Sequence, residues 1–354
     1  MTQFVRPLLL TIVLGLGVSL AAYPQEFPPE VPGVTSIPER KVPPPYGISP
    51  ELLEVVKARQ IRVAQVPKTQ EEWLRFVEIF NEPFNQLAQA AIKRSGASYQ
   101  VQEIAGARCY VITPKKIDER FADRAFIHTH GGAFVFGGGD SALREAVWLA
   151  DGLNVRVISI DYRKPPLHPF PAAIDDAVAV WREVIKDQDA KATALFGTSA
   201  GGNIALATTL RLKDLGLPLP GAIFAGTPAT DLENKTDTWF TLAGLDPLGQ
   251  REGLIQATFE LYGGSENLSN PLLSPVNGNL SGFPPTVLIS GTRDLLLSDT
   301  VRMHRALRSA GVSADLHIYD GQAHGDYIQG LFQDIPESED ALRELYEFFD
   351  EHLE

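Results

Sequence analysis

From about residue 98 the chain keeps one rhythm. A short apolar run is followed by a longer stretch with apolar residues at helical spacing, and then by the next run. The runs at 125–127, 155–160, 192–196, 222–224 and 286–289 are too apolar for strands with one wet face, which would alternate. They predict strands buried on both faces, in a mostly parallel sheet covered by helices on either side. The covering helices are expected at about 145–152, 173–186, 200–214, 299–310 and 338–351, and the last strand at 315–319. Residues 99–104 and 109–112 do alternate, as an antiparallel pair would. Residues 232–282 break the rhythm. They form a long insertion rich in Gly, Asn and Pro between two sheet strands, at the edge where ligands bind in such folds.

The first fifty residues are different material. Arg6 precedes an uncharged stretch with an apolar heart at 8–20, and Ser19-Leu20-Ala21 then offers small residues for cleavage. This predicts a secretory signal at 1–21, hence export to the periplasm or beyond; the apolar heart is too short for a comfortable membrane span. Residues 22–50 read as a proline-rich arm, with Pro28-Pro29 and Pro43-Pro44-Pro45. Two helical stretches follow within 51–95, with a break expected at Pro83, and are read as a cover over the sheet. The net charge is -13 and no basic run stands out, so nucleic acid is not an expected partner. Cys109 is the single cysteine, which excludes an internal disulfide or a Cys-rich metal site; it reads as a small buried hydrophobe.

Gly197-Thr198-Ser199-Ala200-Gly201 fits G-x-S-x-G, and here a buried strand runs into it and a helical segment leaves it. That context predicts a sharp strand-to-helix turn with the Ser199 hydroxyl exposed over a helix N-terminus. Gly197 and Gly201 stand where a Cβ would collide as strand and helix close. His130-Gly131-Gly132-Ala133 follows the strand at 125–129. Backbone N–H groups of Gly131, Gly132 and Ala133, with that of Ala200, are candidate donors to an oxyanion. A phosphate cradle over Gly137-Gly138-Gly139 is rejected because no Lys-Ser/Thr follows. A metal at His128 and His130 is rejected because no further ligand is in view.

A serine nucleophile needs a base and an orienting acid, and on folds of this kind they follow in the order Ser, acid, His. His324 lies in a loop after the last strand, while His304, His317 and His352 read as packing or surface residues. Gly291-Thr292-Arg293-Asp294 directly follows the strand ending at Ser290, and Asp294 is the candidate acid. Asp299 is the rival, but its place at a helix start reads better as a cap.

These residues together resemble the hormone-sensitive-lipase-like family of α/β-hydrolases, also called bacterial family IV esterases, from about residue 125 to 327. The likeness rests on His130-Gly131-Gly132, on Asp161-Tyr162-Arg163-Lys164-Pro165-Pro166-Leu167-His168-Pro169 with Asp175-Asp176 after it, on the elbow with Thr198 in its GTSAG form, and on Asp294 with His324. It implies a hydrolase domain over 51–354, with cap elements at about 51–95 and 232–282. It implies a carboxylic-ester hydrolase acting without cofactor or metal on a small ester, of short to medium acyl chain, through an acyl-enzyme on Ser199. A lactone or amide substrate would use the same triad, and a non-catalytic binding relative would have lost His324. Three departures from the family pattern stand out. Ala133 replaces a glycine but keeps its N–H, Leu167 replaces an acid that makes a supporting salt bridge, and Asp326 replaces an aromatic residue beside the base. Stable membrane insertion after loss of the signal is not expected, and the sequence leaves the oligomeric state open.

Overall fold

The computed structural model describes residues 35, 39, 41–61, 64–233 and 235–354. The expected signal segment and most of the proline-rich arm lie outside the described residues. Residues from Pro43 to Glu354 form one compact unit. Eight strands make one sheet in the order β1-β2-β4-β3-β5-β6-β7-β8. In chain order they are Ser98–Ile104, Ala107–Thr113, Ala125–Thr129, Val157–Asp161, Thr193–Thr198, Ala222–Gly226, Thr286–Gly291 and Ala314–Tyr319. β1 and β2 pair antiparallel, β2 pairs antiparallel with β4, and all other pairings are parallel. β3, β5, β6 and β7 are almost wholly buried, as unalternating apolar runs require. β1 is mostly exposed.

Nine helices accompany the sheet among the described residues: α1 (Pro50–Ala58), α2 (Gln70–Ser95), α3 (Leu143–Leu153), α4 (Ala172–Val184), α5 (Ala200–Asp214), α6 (Thr238–Thr241), α7 (Leu254–Gly263), α8 (Leu297–Ser309) and α9 (Pro336–His352). One core groups α3 and α9 with residues of the central strands, including Trp148, Phe126, Phe196 and Phe349. A second, with Trp181, Ile174, Ile204 and Leu212, groups α4 and α5 with the same sheet.

α2 corrects one expectation, because it runs unbroken for 26 residues through Pro83. A proline removes one helical hydrogen bond, and here the rest of the helix outweighs that loss. Thr69 and Glu72 form a reciprocal capping box at one end, and Gly96 closes the other in the left-handed region, at φ 66°. On the N-terminal side of Pro83, Trp73, Phe76 and Phe80 pack with Val135 and Phe136; Phe80 and Phe136 lie 4.2 Å apart between ring centroids. On its C-terminal side Ala88 and Ala91 are fully buried. Packing on both sides holds the two halves in one continuous helix.

Candidate active site

The site is built at the C-terminal ends of β3, β5, β7 and β8. At the end of β5 the backbone turns through Ser199, at φ 62° and ψ -123°, a strained conformation for a residue with a side chain. The strain is held from several sides. Ser199 N–H donates to the Gly226 carbonyl at 2.8 Å, and the Ser199 carbonyl accepts from Asn203 at 3.1 Å and Ala229 at 3.3 Å. A Cβ on Gly197 or Gly201 would come within 2.2 or 2.0 Å of the Thr129 carbonyl, so both positions require glycine. α5 starts at Ala200, directly behind the serine.

The same close approach brings the end of β3 against the elbow. A Cβ on Gly131 would lie 3.5 Å from that of Ser199, so the two backbones are neighbours. Gly132, Ala133 and Phe134 follow with φ of 120°, 49° and 65°. A left-handed alanine costs about 1 kcal/mol or more, and the surroundings over-determine the loop. The Gly132 carbonyl accepts from Val135 and Phe136, and Gly137 N–H donates to Asn81 Oδ1 of α2 at 2.9 Å. Among the described residues, no intramolecular acceptor serves the N–H groups of Gly131, Gly132 or Ala133. Phe134 stacks on Tyr262 of α7 at 4.1 Å, so the 232–282 insertion packs directly on this loop.

His130 braces the loop from behind. Its Nδ1 lies 2.7 Å from the Gly131 carbonyl and its ring stacks on Tyr162, whose hydroxyl donates to the His130 carbonyl. Burial, then the Lys164 charge, push its pKa down to about 3, so it stays neutral and Nδ1 carries a proton for Gly131. Lys164 donates to Asp161 at 2.7 Å and to the Tyr162 carbonyl at 2.6 Å. Arg163 pairs with Asp176 at 2.8 Å. These bonds explain the Asp161–Asp176 motif, and they hold it without an acid at position 167, where Leu167 is exposed.

Asp294 and His324 meet, with His324 Nδ1 3.1 Å from Asp294 Oδ1. Asp294 is fully buried and fixed twice more, accepting from Ser290 Oγ at 2.6 Å and Leu296 N–H at 2.9 Å. The turns carrying the two residues are zipped together. Arg293 N–H donates to Gln322, Thr292 N–H to Tyr319, and Gly321 N–H to Thr292 Oγ1. Burial disfavours a charged His324, but Asp294, with Asp246 and Asp326, outweighs it and raises its pKa above the ordinary histidine value. Asp326 is buried and bound to Arg59, which also donates to the Gly321 carbonyl. His304, His317 and His352 are engaged elsewhere, against the Ala314 carbonyl, Glu344 and Phe348.

A second correction concerns Asp299. It lies in the first turn of α8 but makes no cap. Its buried carboxylate instead accepts Thr230 N–H, Asp231 N–H and Thr236 Oγ1, holding the loop after β6. Burial pushes it up to about 7. Cys109 is fully buried in β2, and burial raises its thiol to about 12. Among the described residues no cluster of His, Cys, Asp or Glu could hold a metal ion. His128 turns inward, to Ser159 and to Glu145.

Glu145 is the partner that sequence reasoning missed. Its Oε2 accepts Thr198 N–H at 3.1 Å and its Oε1 the Thr198 hydroxyl at 2.5 Å; Thr198 Oγ1 in turn meets Tyr327 Oη at 2.5 Å. A buried network thus joins the elbow, one residue before Ser199, to the loop three residues past His324.

A strained, half-buried elbow serine, free backbone donors beside it and an Asp–His pair on neighbouring strand ends define a serine-hydrolase-like site on a doubly covered, mostly parallel sheet. Residues 126–328 match the family model described as alpha/beta hydrolase fold, and the chain belongs to that family. An acetyl-hydrolase of Streptomyces hygroscopicus is 32% identical over 189 residues, which are 53% of this chain and 63% of that protein. An esterase of Acinetobacter venetianus is 30% identical over 228 residues, 64% of this chain and 75% of that one. Among solved structures, esterase E25 is similar with a TM-score of 0.88 and 40% identity, covering 91% of this chain and 99% of that one. An esterase from the bacterial hormone-sensitive lipase family is similar at 0.75 and 27%, covering 86% and 99%.

Proposed function

We propose that this chain hydrolyses carboxylic esters of short to medium acyl chain through an acyl-enzyme on Ser199. The observation that carries the reading is the Asp294–His324 pair, held on the ends of β7 and β8, with the strained Ser199 on the elbow of β5, at the same end of the sheet and one strand removed from β7. Asp294 fixes the proton of His324 on Nδ1, which leaves Nε2 as the base. Ser199 Oγ attacks the ester carbonyl and gives its proton to His324, which passes it to the leaving alcohol. Water then attacks the acyl-enzyme by the same route, and acid and Ser199 are released. Backbone N–H groups of Gly131, Gly132, Ala133 and Ala200 supply the donors for the oxyanion. No step calls for a cofactor. The esterase and acetyl-hydrolase names of the relatives support an ester substrate. The N-terminal pattern supports export to the periplasm or beyond, which fractionation of the producing cells tests. Turnover of p-nitrophenyl acetate and butyrate, lost in Ser199→Ala, is the expected result. A folded protein that turns over no ester in the series from acetate to palmitate would redirect the reading to lactones, amides or a bound ligand.

A further inference from the structure

One buried carboxylate beside the proposed triad belongs to none of its members. Asp246 lies in the turn between α6 and α7, inside the insertion, and is completely buried. Its Oδ2 accepts two backbone N–H groups from two different loops. One is Leu295, the residue after Asp294, at 3.1 Å; the other is His324 itself, at 3.0 Å. Its Oδ1 accepts from Leu248 at 2.8 Å, which locks the carboxylate into its own turn. The acid loop and the base loop come from different strands, and a single carboxylate clips them together.

The placement is costly. A charge taken out of water needs full compensation, and a second carboxylate nearby opposes it. Burial, then the Asp294 charge, push Asp246 up to about 6, with His324 acting the other way. An asparagine carbonyl could accept the same two N–H groups, but its amide NH2 would then face the Leu248 N–H, donor against donor, and the turn that places the clamp would lose its lock. What the carboxylate adds is negative charge directly against the loop of the base.

We propose that Asp246 is a positioning residue of the triad: it clamps the loops of Asp294 and His324 at their working separation and ties both to the insertion. The inference rests on the reading of Asp294 and His324 as a catalytic pair. The charged groups acting on His324 are Asp294, Asp246 and Asp326, the last bound to Arg59. Removing the Asp246 charge therefore makes His324 easier to deprotonate.

The test is Asp246→Asn in the full chain, beside Ser199→Ala, with p-nitrophenyl acetate over a range of pH. The expected result is kcat lower by ~10–100-fold at nearly unchanged KM, from a small misplacement of the base. The acidic limb of kcat/KM should move ~0.5 pH unit or more to lower pH. A role confined to folding would lower the amount of active enzyme and leave that limb in place. If D246N does not fold, D246E keeps the charge on a longer arm; kcat should then fall ~5-fold or more with the limb unmoved. A folded variant with wild-type kcat and an unmoved limb overturns the proposal. Hydrolysis that survives in Ser199→Ala would instead overturn the reading of the site on which it rests.

Discussion

Replacing Thr198 with valine keeps the shape of the side chain and removes only the hydroxyl that joins the elbow to the base loop. Because that hydroxyl donates to Glu145, the Tyr327 hydroxyl must be the donor in the 2.5 Å contact between Thr198 and Tyr327. In Thr198→Val the buried Glu145 loses one of its three donors, at ~1.5–3 kcal/mol for a bond to a charged group, and keeps Thr198 N–H and His128. Tyr327 loses its acceptor, at ~1–3 kcal/mol, with the low end favoured because the Thr227 hydroxyl is near enough to interact with it. The single variant should therefore be destabilised by ~2.5–5 kcal/mol. Tyr327→Phe leaves the bond from Thr198 to Glu145 intact and should cost only ~0.5–1.5 kcal/mol. In the double variant no tyrosine hydroxyl is left stranded, so the two costs should fall short of additivity by ~1 kcal/mol or more. Urea unfolding of the four proteins, followed by tryptophan fluorescence, measures the cycle. Additivity within ~0.3 kcal/mol would refute the bridge, whatever the cost of each single change.

Gly201→Ala should cost ~100-fold in kcat by driving the end of β3 away from the elbow, since the new Cβ would sit 2.0 Å from the Thr129 carbonyl; an unchanged kcat would mean that the two backbones are not in contact. The hydrolysis rate should rise with pH along a limb set by His324, with its apparent pKa above the ordinary value of ~6.5 because the neighbouring carboxylates favour the charged ring, and a limb below that value would contradict the Asp294 contact. Cys109 should resist iodoacetamide at pH 8 in the folded protein and react once the chain is unfolded in urea, because its thiol is buried and pushed up to about 12.

Much of this architecture can be read locally, because each strand of the parallel set is a short apolar run and each helix carries its own spacing. The span of α5, 200–214, and the antiparallel pairing of β1 with β2 follow from a few consecutive residues, although β1 is exposed on both faces rather than alternating. The elbow is legible for the same reason, as two glycines and a serine between a strand and a helix. Asp294 and His324 follow from order along the chain. The failures share one physical cause, which is packing by distant residues. Pro83 reads as a break, yet aromatic contacts with Phe136 and the burial of Ala88 and Ala91 keep α2 one continuous helix. Asp299 sits where a cap belongs, yet the loop at 230–236 takes its carboxylate. Glu145 meets Thr198 across 53 positions and Asp246 meets His324 across 78, and no local pattern signals either.

The contact between Asn81 and Gly137 has a consequence for the order in which the molecule is made. α2 leaves the ribosome before any strand of the sheet, carrying Trp73, Phe76 and Phe80 with nothing yet to pack against. Its partner loop at 131–137 takes its shape only after β3 and β5 have paired, because Gly131 rests against the elbow. The first large helix of the compact unit to be synthesised therefore cannot complete its contacts with that loop until both strands have paired. Until it does, Gly137 N–H has no acceptor from Asn81, and Val135 and Phe136 lack their aromatic cover. Activity should then appear late in refolding, after the sheet has formed, and a chain begun at β1 should recover its strands without recovering the loop beside Ser199.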